Sequence, residues 1–200
     1  MKIGRFSVQL HHFLMAMALA SVCSSSALAQ SGHSHPAPGQ DEVSADSQQG
    51  TNELIKTVRD ATARFHSVAQ AEREGYHLQF GCVSGDSGGA MGLHYVNGDL
   101  VQSGVIDASH PQIVIYEPTA DGRLHLTGAD FLVLKDVWDA HHASPPELNG
   151  QLFHLFDAPN RFGLPPFYTL HVWAWKDNPN GAFVNWHPNV SCKLFNPREN

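Results

Sequence analysis

The sequence predicts an α+β fold: one long N-terminal amphipathic helix packed on a curved antiparallel β-sheet. Three observations carry that expectation. Apolar residues recur every three to four positions between Asn52 and Glu74, as on the buried face of a helix. After Gly75 the period changes to two, as in strands half-buried on one side. Two turn-rich stretches, "PTADG" (118–122) and "DNPNG" (177–181), join neighbouring strands as hairpins, which makes those neighbours antiparallel. The sheet is the only apolar surface on which the helix can lie.

The chain opens with Lys2 and Arg5, an apolar run from Phe13 to Val22, and the small-residue pattern Ala27-Leu28-Ala29. This predicts a secretory signal peptide over 1–29, cleaved after Ala29, and hence a periplasmic or secreted protein. The apolar part is too short to stay behind as an anchor, and no later run reaches membrane length. Cys23 lacks the leucine and small residue that a lipoprotein signal places before its cysteine. Removing the signal takes the 12 basic side chains to 10 against 19 acidic ones, a net charge of −9. Such a surface repels phosphate backbones and argues against nucleic-acid binding.

Residues 30–50 hold one large apolar residue, Val43, among Ser, Gly, Pro and Gln, and are expected to form a disordered tail ahead of a single domain over 51–200. In the helix that follows, Leu54, Ile55, Val58, Ala61, Phe65, Val68 and Ala69 form the buried stripe. Thr51 is placed to cap its start, and Gly75 to end it in a left-handed turn. Strands are expected at 76–82, 92–97, 112–117, 123–134, 168–175 and 182–186. The Pro/Gly/His-rich segment 136–167 reads as a long functional loop or rim bearing Trp138, Phe153, Phe156 and Phe162.

Two cysteines survive processing, Cys82 and Cys192. In an oxidising compartment they predict a disulfide, closing a loop of about 110 residues. Chain entropy assigns such a bridge up to about 4.7 kcal/mol. A two-cysteine metal site would want a CxxC spacing, which is absent.

"GDSGG" (85–89) matches the surroundings of a chymotrypsin-type nucleophile, but only a tail and a helix precede Ser87, where that family carries its histidine and aspartate. A glycine-rich loop is the simpler reading. "GGAMGLHYVNG" (88–98) sets His94 in a short strand between glycine turns. A cupin motif would need a second histidine where Val96 stands. In "RLHLTGADFLVLK" (123–135), alternation puts Leu124, Leu126, Gly128, Asp130, Leu132 and Leu134 on one face. Asp130 interrupts an apolar row, so it must be paired, protonated or metal-bound. Glu117 closes "IVIYEP" in phase with Ile113 and Ile115.

"YTLHVWAW" (168–175) has a plain core face in Tyr168, Leu170, Val172 and Ala174. Its other face carries Thr169, His171, Trp173 and Trp175. His171 is thereby predicted to look into a polar pocket walled by Trp173 and Trp175, with Glu117 as a further lining residue. A hydrogen-bonded core histidine is the competing reading. His94, Asp130 and His171 come from three strands, each on a face with reason to turn inward. Two imidazoles and a carboxylate suit a divalent transition metal such as Zn, Fe or Cu, or proton transfer without metal. His187 and His125 are reserves, His125 lying on the parity opposite to Asp130.

Together "ATARFHSVAQAEREGY", "GGAMGLHYVN", "IVIYEP" and "LHVWAWKDNPNGAFVNWHPNVSC" resemble a group of uncharacterised secreted bacterial proteins. The likeness spans about Thr51 to Cys192. It implies bacterial export and brings no activity, cofactor or catalytic residue. The expected function is an exported protein binding a metal ion or small ligand. The alternatives are a small exported enzyme acting through His94, His171 and Asp130, and an interaction module whose histidines are all structural.

Overall fold

The computed structural model describes residues 40–197, with side chains from 46 onward. The signal peptide and residues 30–39 of the expected tail lie outside the described residues. The chain is α+β, with helices and a six-stranded sheet in which every pairing is antiparallel.

Helix α1 runs Gln40–Thr62, so the second half of the segment expected as a tail is helical, and Thr51 lies inside the helix rather than capping it. A 3₁₀ turn (Ala63–His66) and a short helix α2 (Val68–Arg73) follow, with Ser67 extended between them. The single helix expected over 52–74 is therefore broken. Its break coincides with Thr62, whose buried hydroxyl donates back to Val58 O at 2.6 Å and accepts from the Trp175 indole. A threonine bonded to the preceding turn competes with the helix ladder and bends it. Gly75 ends the helical region at φ +89°, the left-handed conformation the sequence predicts there.

The sheet comprises β1 (Tyr76–Ser84), β2 (Ala90–Asn97), β3 (Ile113–Pro118), β4 (Leu124–Leu134), β7 (His154–Phe156) and β8 (Phe167–Val172), in the order β1-β2-β3-β4-β8-β7. Short helices α3 (Gly98–Ser103) and α4 (Lys135–Asp139) and the hairpin β5 (Glu147–Leu148)–β6 (Gln151–Leu152) fill the connections. The 136–167 segment thus hides a hairpin and an edge strand. Residues 182–186, expected as a strand, are irregular: there the chain folds over the glycine loop, Trp186 packing on Gly85 and Gly88.

One face of the sheet takes the helices. Leu54 and Val58 pack with Ala129, Phe131, Leu170 and Val172, while Phe65 and Ala71 pack with Tyr76, Leu93, Tyr116 and Leu126. The opposite face carries Ile113, Ile115, Leu132 and Phe167, covered by Phe156, Phe162 and Leu164. The site lies on this second face.

A β-bulge at Thr127 sets the phase of β4. Ile115 pairs with Gly128 but Tyr116 pairs with Leu126, so Thr127 has no partner and its hydroxyl donates to Ile115 O at 3.1 Å. One extra residue flips every side chain beyond it. Leu126 consequently belongs to the helix-side core, whereas Asp130 and Leu132 face the other way. Simple alternation had put all of them on one face. The same slip brings His125, paired with Glu117, onto the face of Asp130 rather than the opposite one.

Candidate functional site

Ladder register assembles the three residues from strands that are distant in sequence. His94 on β2 pairs with Ile115, Ile113 pairs with Asp130 on β4, and Asp130 pairs with His171 on β8. Directly opposed residues share a face, so the imidazoles and the carboxylate point the same way. Two glycines make the arrangement sterically possible. Gly92, at φ +103°, lets β2 approach β3 where a Cβ would sit 2.4 Å from Tyr116 O. Gly128 leaves room for the end of β8, since a Cβ there would meet Val172 O at 2.2 Å.

All three side chains are buried, and one ligand atom from each lies within 4.8 Å of the others. Donors held at about 2.0–2.2 Å from one metal stand roughly 3–4 Å apart, so the set is close to, but wider than, the spacing that a single ion would impose. His94 Nδ1 is 3.2 Å from Gly92 O. Burial holds its pKa down to about 4, so the ring is neutral. Its proton is then on Nδ1, donated to that carbonyl, and the lone pair is on Nε2. Asp130 accepts from Thr169 Oγ1 at 2.5 Å and from the backbone at Phe131 and Leu170. Burial nevertheless outweighs those bonds and lifts its carboxyl to about 7.

His171 is different in kind. Burial, with His94 and His187 nearby, keeps it well below the usual imidazole range, and neither ring nitrogen has a hydrogen-bond partner among the described residues. Its ring stacks on Trp173 at 4.4 Å and stands edge-on to His94 at 6.3 Å. A buried neutral imidazole without partners forfeits solvation at both nitrogens. The described residues provide no partner for the hydrogen-bonded core histidine that the sequence allowed at this position.

Beside the three groups is a cavity of about 30 Å³, above the ~10–15 Å³ that a water molecule needs. His94, Asp130, Thr169 and Asn185 line it, with Met91, Leu132 and an aromatic wall of Phe80, Phe156, Phe162 and Phe167. The wall's partners for the donors come largely from the 136–167 segment, as that segment's composition suggested. Phe80 had no such signal: it sits in a second bulge, where β1 slips register between Gln79 and Cys82.

The other residues singled out in the sequence lie elsewhere. Trp173 backs His171 but does not line the cavity; its indole donates to Val184 O at 2.6 Å. Trp175 is on the helix side, bonded to Thr62 and edge-on to His66. The reason is that β8 ends at Val172, where Ala174 N–H turns back to Val172 O and alternation stops. Glu117 shares the face of Ile113 and Ile115 but is held by Lys176 Nζ at 2.6 and 2.7 Å, with His125 at 3.3 Å. His187 is a structural histidine: Nδ1 accepts from Asn189 N–H at 3.0 Å, so Nε2 donates to Asp177 O at 3.1 Å. Ser87 is exposed on the glycine loop, and no histidine lines the groove beside it. Cys82 and Cys192 are bonded as a disulfide, with Cα atoms 5.7 Å apart. That bond is compatible with an oxidising compartment. Among the described residues no helix is long and apolar enough to cross a membrane.

Comparison with family models, with curated proteins and with solved structures found no match to this chain.

Proposed function

We propose that this chain is an exported bacterial protein that binds a divalent transition metal through His94 Nε2, a nitrogen of His171 and the carboxylate of Asp130. The observation that carries the reading is His171. An imidazole with two unpartnered nitrogens, buried within reach of a second imidazole lone pair and a carboxylate, is costly unless a ligand is its partner. Two imidazoles and one carboxylate match the donor sets of zinc and non-haem iron sites, and copper is also compatible with them. The reading also favours a curved sheet. His94 and His171 are three strand spacings apart, about 14 Å in a flat sheet, yet their ring centroids are 6.3 Å apart, as expected on a concave face. Export rests on the N-terminal segment and is supported by the disulfide.

A second reading, a metal-dependent enzyme, is favoured by the cavity. Three protein donors leave coordination positions open, and the space beside them has room for a metal-bound water.

The test is metal content and zinc titration of untagged protein, wild type against His171→Ala. Stoichiometric uptake by the wild type and at least ~100-fold weaker binding by the variant is expected, in line with loss of one of three ligands. Equal binding by both proteins, or no uptake by either, would remove the site. Hydrolytic turnover by the zinc-loaded wild type, abolished in His171→Ala, would select the enzyme over the binder.

A further inference from the structure

The donor cavity does not end at its aromatic wall. A second depression of about 430 Å³ lies on the same face of the sheet and shares Phe80, Ile113, Leu132 and Leu164 with the first. That volume is within the ~300–1,000 Å³ typical of small-molecule sites. Val96, Val101 and Leu134 extend its apolar floor, and its polar residues, His77, Gln79 and Gln102, carry no formal charge when the histidine is neutral. The two spaces together run from a cluster of metal-binding donors into an oily groove.

Two further features mark the junction. Phe80, where the spaces meet, is a non-glycine residue at φ +63°, followed by Gly81 at the same angle. Phenylalanine in the left-handed region is strained; such strain persists where the surrounding structure enforces it, and it clusters at functional sites. Its ring is also 46% exposed and rests edge-on against Phe162 at 5.3 Å, so it closes the donor cavity without being locked in the core. At the other end, Asn185 lines the donor cavity with a side-chain amide that bonds to nothing among the described residues. It offers amide N–H donors and a carbonyl acceptor to whatever lies beside the metal.

Resting on the metal-site reading above, we infer that the site's ligand or substrate is a small amphiphile: one oxygen-bearing head held by the metal and Asn185, and an uncharged apolar tail that passes Phe80 into the groove. The absence of Lys and Arg from both linings specifies the head further. An anionic head has no counter-charge there except the metal, and Asp130 opposes it. Anionic heads therefore require the metal, whereas neutral alcohols do not.

Alkyl hydroxamates, which chelate through two oxygens, test the inference. Zinc-loaded protein is titrated calorimetrically with acetohydroxamate and hexanohydroxamate. Each methylene buried in the groove tightens binding by up to about 4-fold, the equivalent of ~0.8 kcal/mol, so the longer probe is expected to bind at least tenfold more tightly. Val101→Trp, which fills the groove and does not line the donor cavity, should abolish that advantage and leave zinc and acetohydroxamate affinities unchanged. Equal affinity of the wild type for the two probes overturns the inference while leaving the metal site standing. Failure of the metal site itself appears as absent zinc uptake, and the groove is then tested in metal-free protein with 1-hexanol and methyl NMR. Shifts at Val96, Val101 and Leu134, which line the groove alone, support the tail groove, and their absence overturns it.

Discussion

Asp130 and His171 stand directly opposite each other across the β4–β8 ladder, yet the carboxylate takes its side-chain hydrogen bond from Thr169, two residues before His171 on β8. The imidazole that could have been its partner is left with none among the described residues. This division makes the site a set of separately held donors rather than a closed network.

The first consequence is a trade between stability and binding. Replacing His171 by leucine removes a buried polar group that has no partner and keeps an apolar side chain of similar size. Unmade hydrogen bonds of this kind cost about 1–3 kcal/mol. His171→Leu should therefore raise the stability of metal-free protein by on the order of 1 kcal/mol in urea unfolding with EDTA present, and abolish zinc binding. A loss of stability instead would show that His171 is a structural residue.

His187 should behave in the opposite way. It is fully buried, and both its nitrogens bond the backbone of the 177–189 loop. His187→Ala should cost roughly 2 kcal/mol, as expected for two lost hydrogen bonds and the groups they leave unpaired. Zinc affinity should stay within about threefold. Parallel unfolding and zinc titrations of the two histidine variants decide between these roles.

Protons should compete with the metal through one group. Asp130 is raised to about 7, while His94 is lowered to about 4 and His171 is lowered well below the usual range. Between pH 5 and 7 His94 is already neutral, burial disfavours the charged form of His171 as well, and the carboxyl is the group that must lose a proton to bind. Affinity should thus fall about tenfold per pH unit as pH drops below 7, and be flat above it. Cobalt(II) absorbance titrations from pH 5 to 8 would measure the slope. A slope near two or three between pH 5 and 6.5 would mean the histidines titrate there as ordinary ones do.

Phe65 is fully buried under the helices, between Tyr76 and the Tyr116 hydroxyl that donates to its carbonyl at 2.7 Å. Phe65→Ala should destabilise by about 3–5 kcal/mol without changing metal stoichiometry, because its cluster is on the other side of the sheet. Chemical denaturation checks the first statement and metal analysis the second.

Much of this was legible in the sequence, for identifiable reasons. The helix stripe through Leu54, Val58 and Phe65 repeats often enough to be read. Asp130 and His171 each break an apolar pattern, which is why they drew notice. The bulge at Thr127 was not legible: an inserted residue leaves no compositional mark beyond the neighbouring glycine, and it reverses the parity of Leu126 and His125 against Asp130. Trp175 was misplaced because alternation says nothing of where β8 stops. The strands within 147–156 are two or three residues long, too short to display a period. Phe80 was missed because its orientation comes from a left-handed backbone that sequence patterns assign to glycine.

The disulfide has one more consequence. His94, Asp130 and His171 all fall between Cys82 and Cys192 in the chain, so the three donors sit on a covalent macrocycle. A protease that nicks one exposed loop of this ring, such as 140–145, opens the circle but releases no fragment. Shedding a donor strand takes two separate events, either a second cut or a reduction. In an oxidising compartment, where reductants are scarce, the bond keeps the site in one piece after the backbone has been broken.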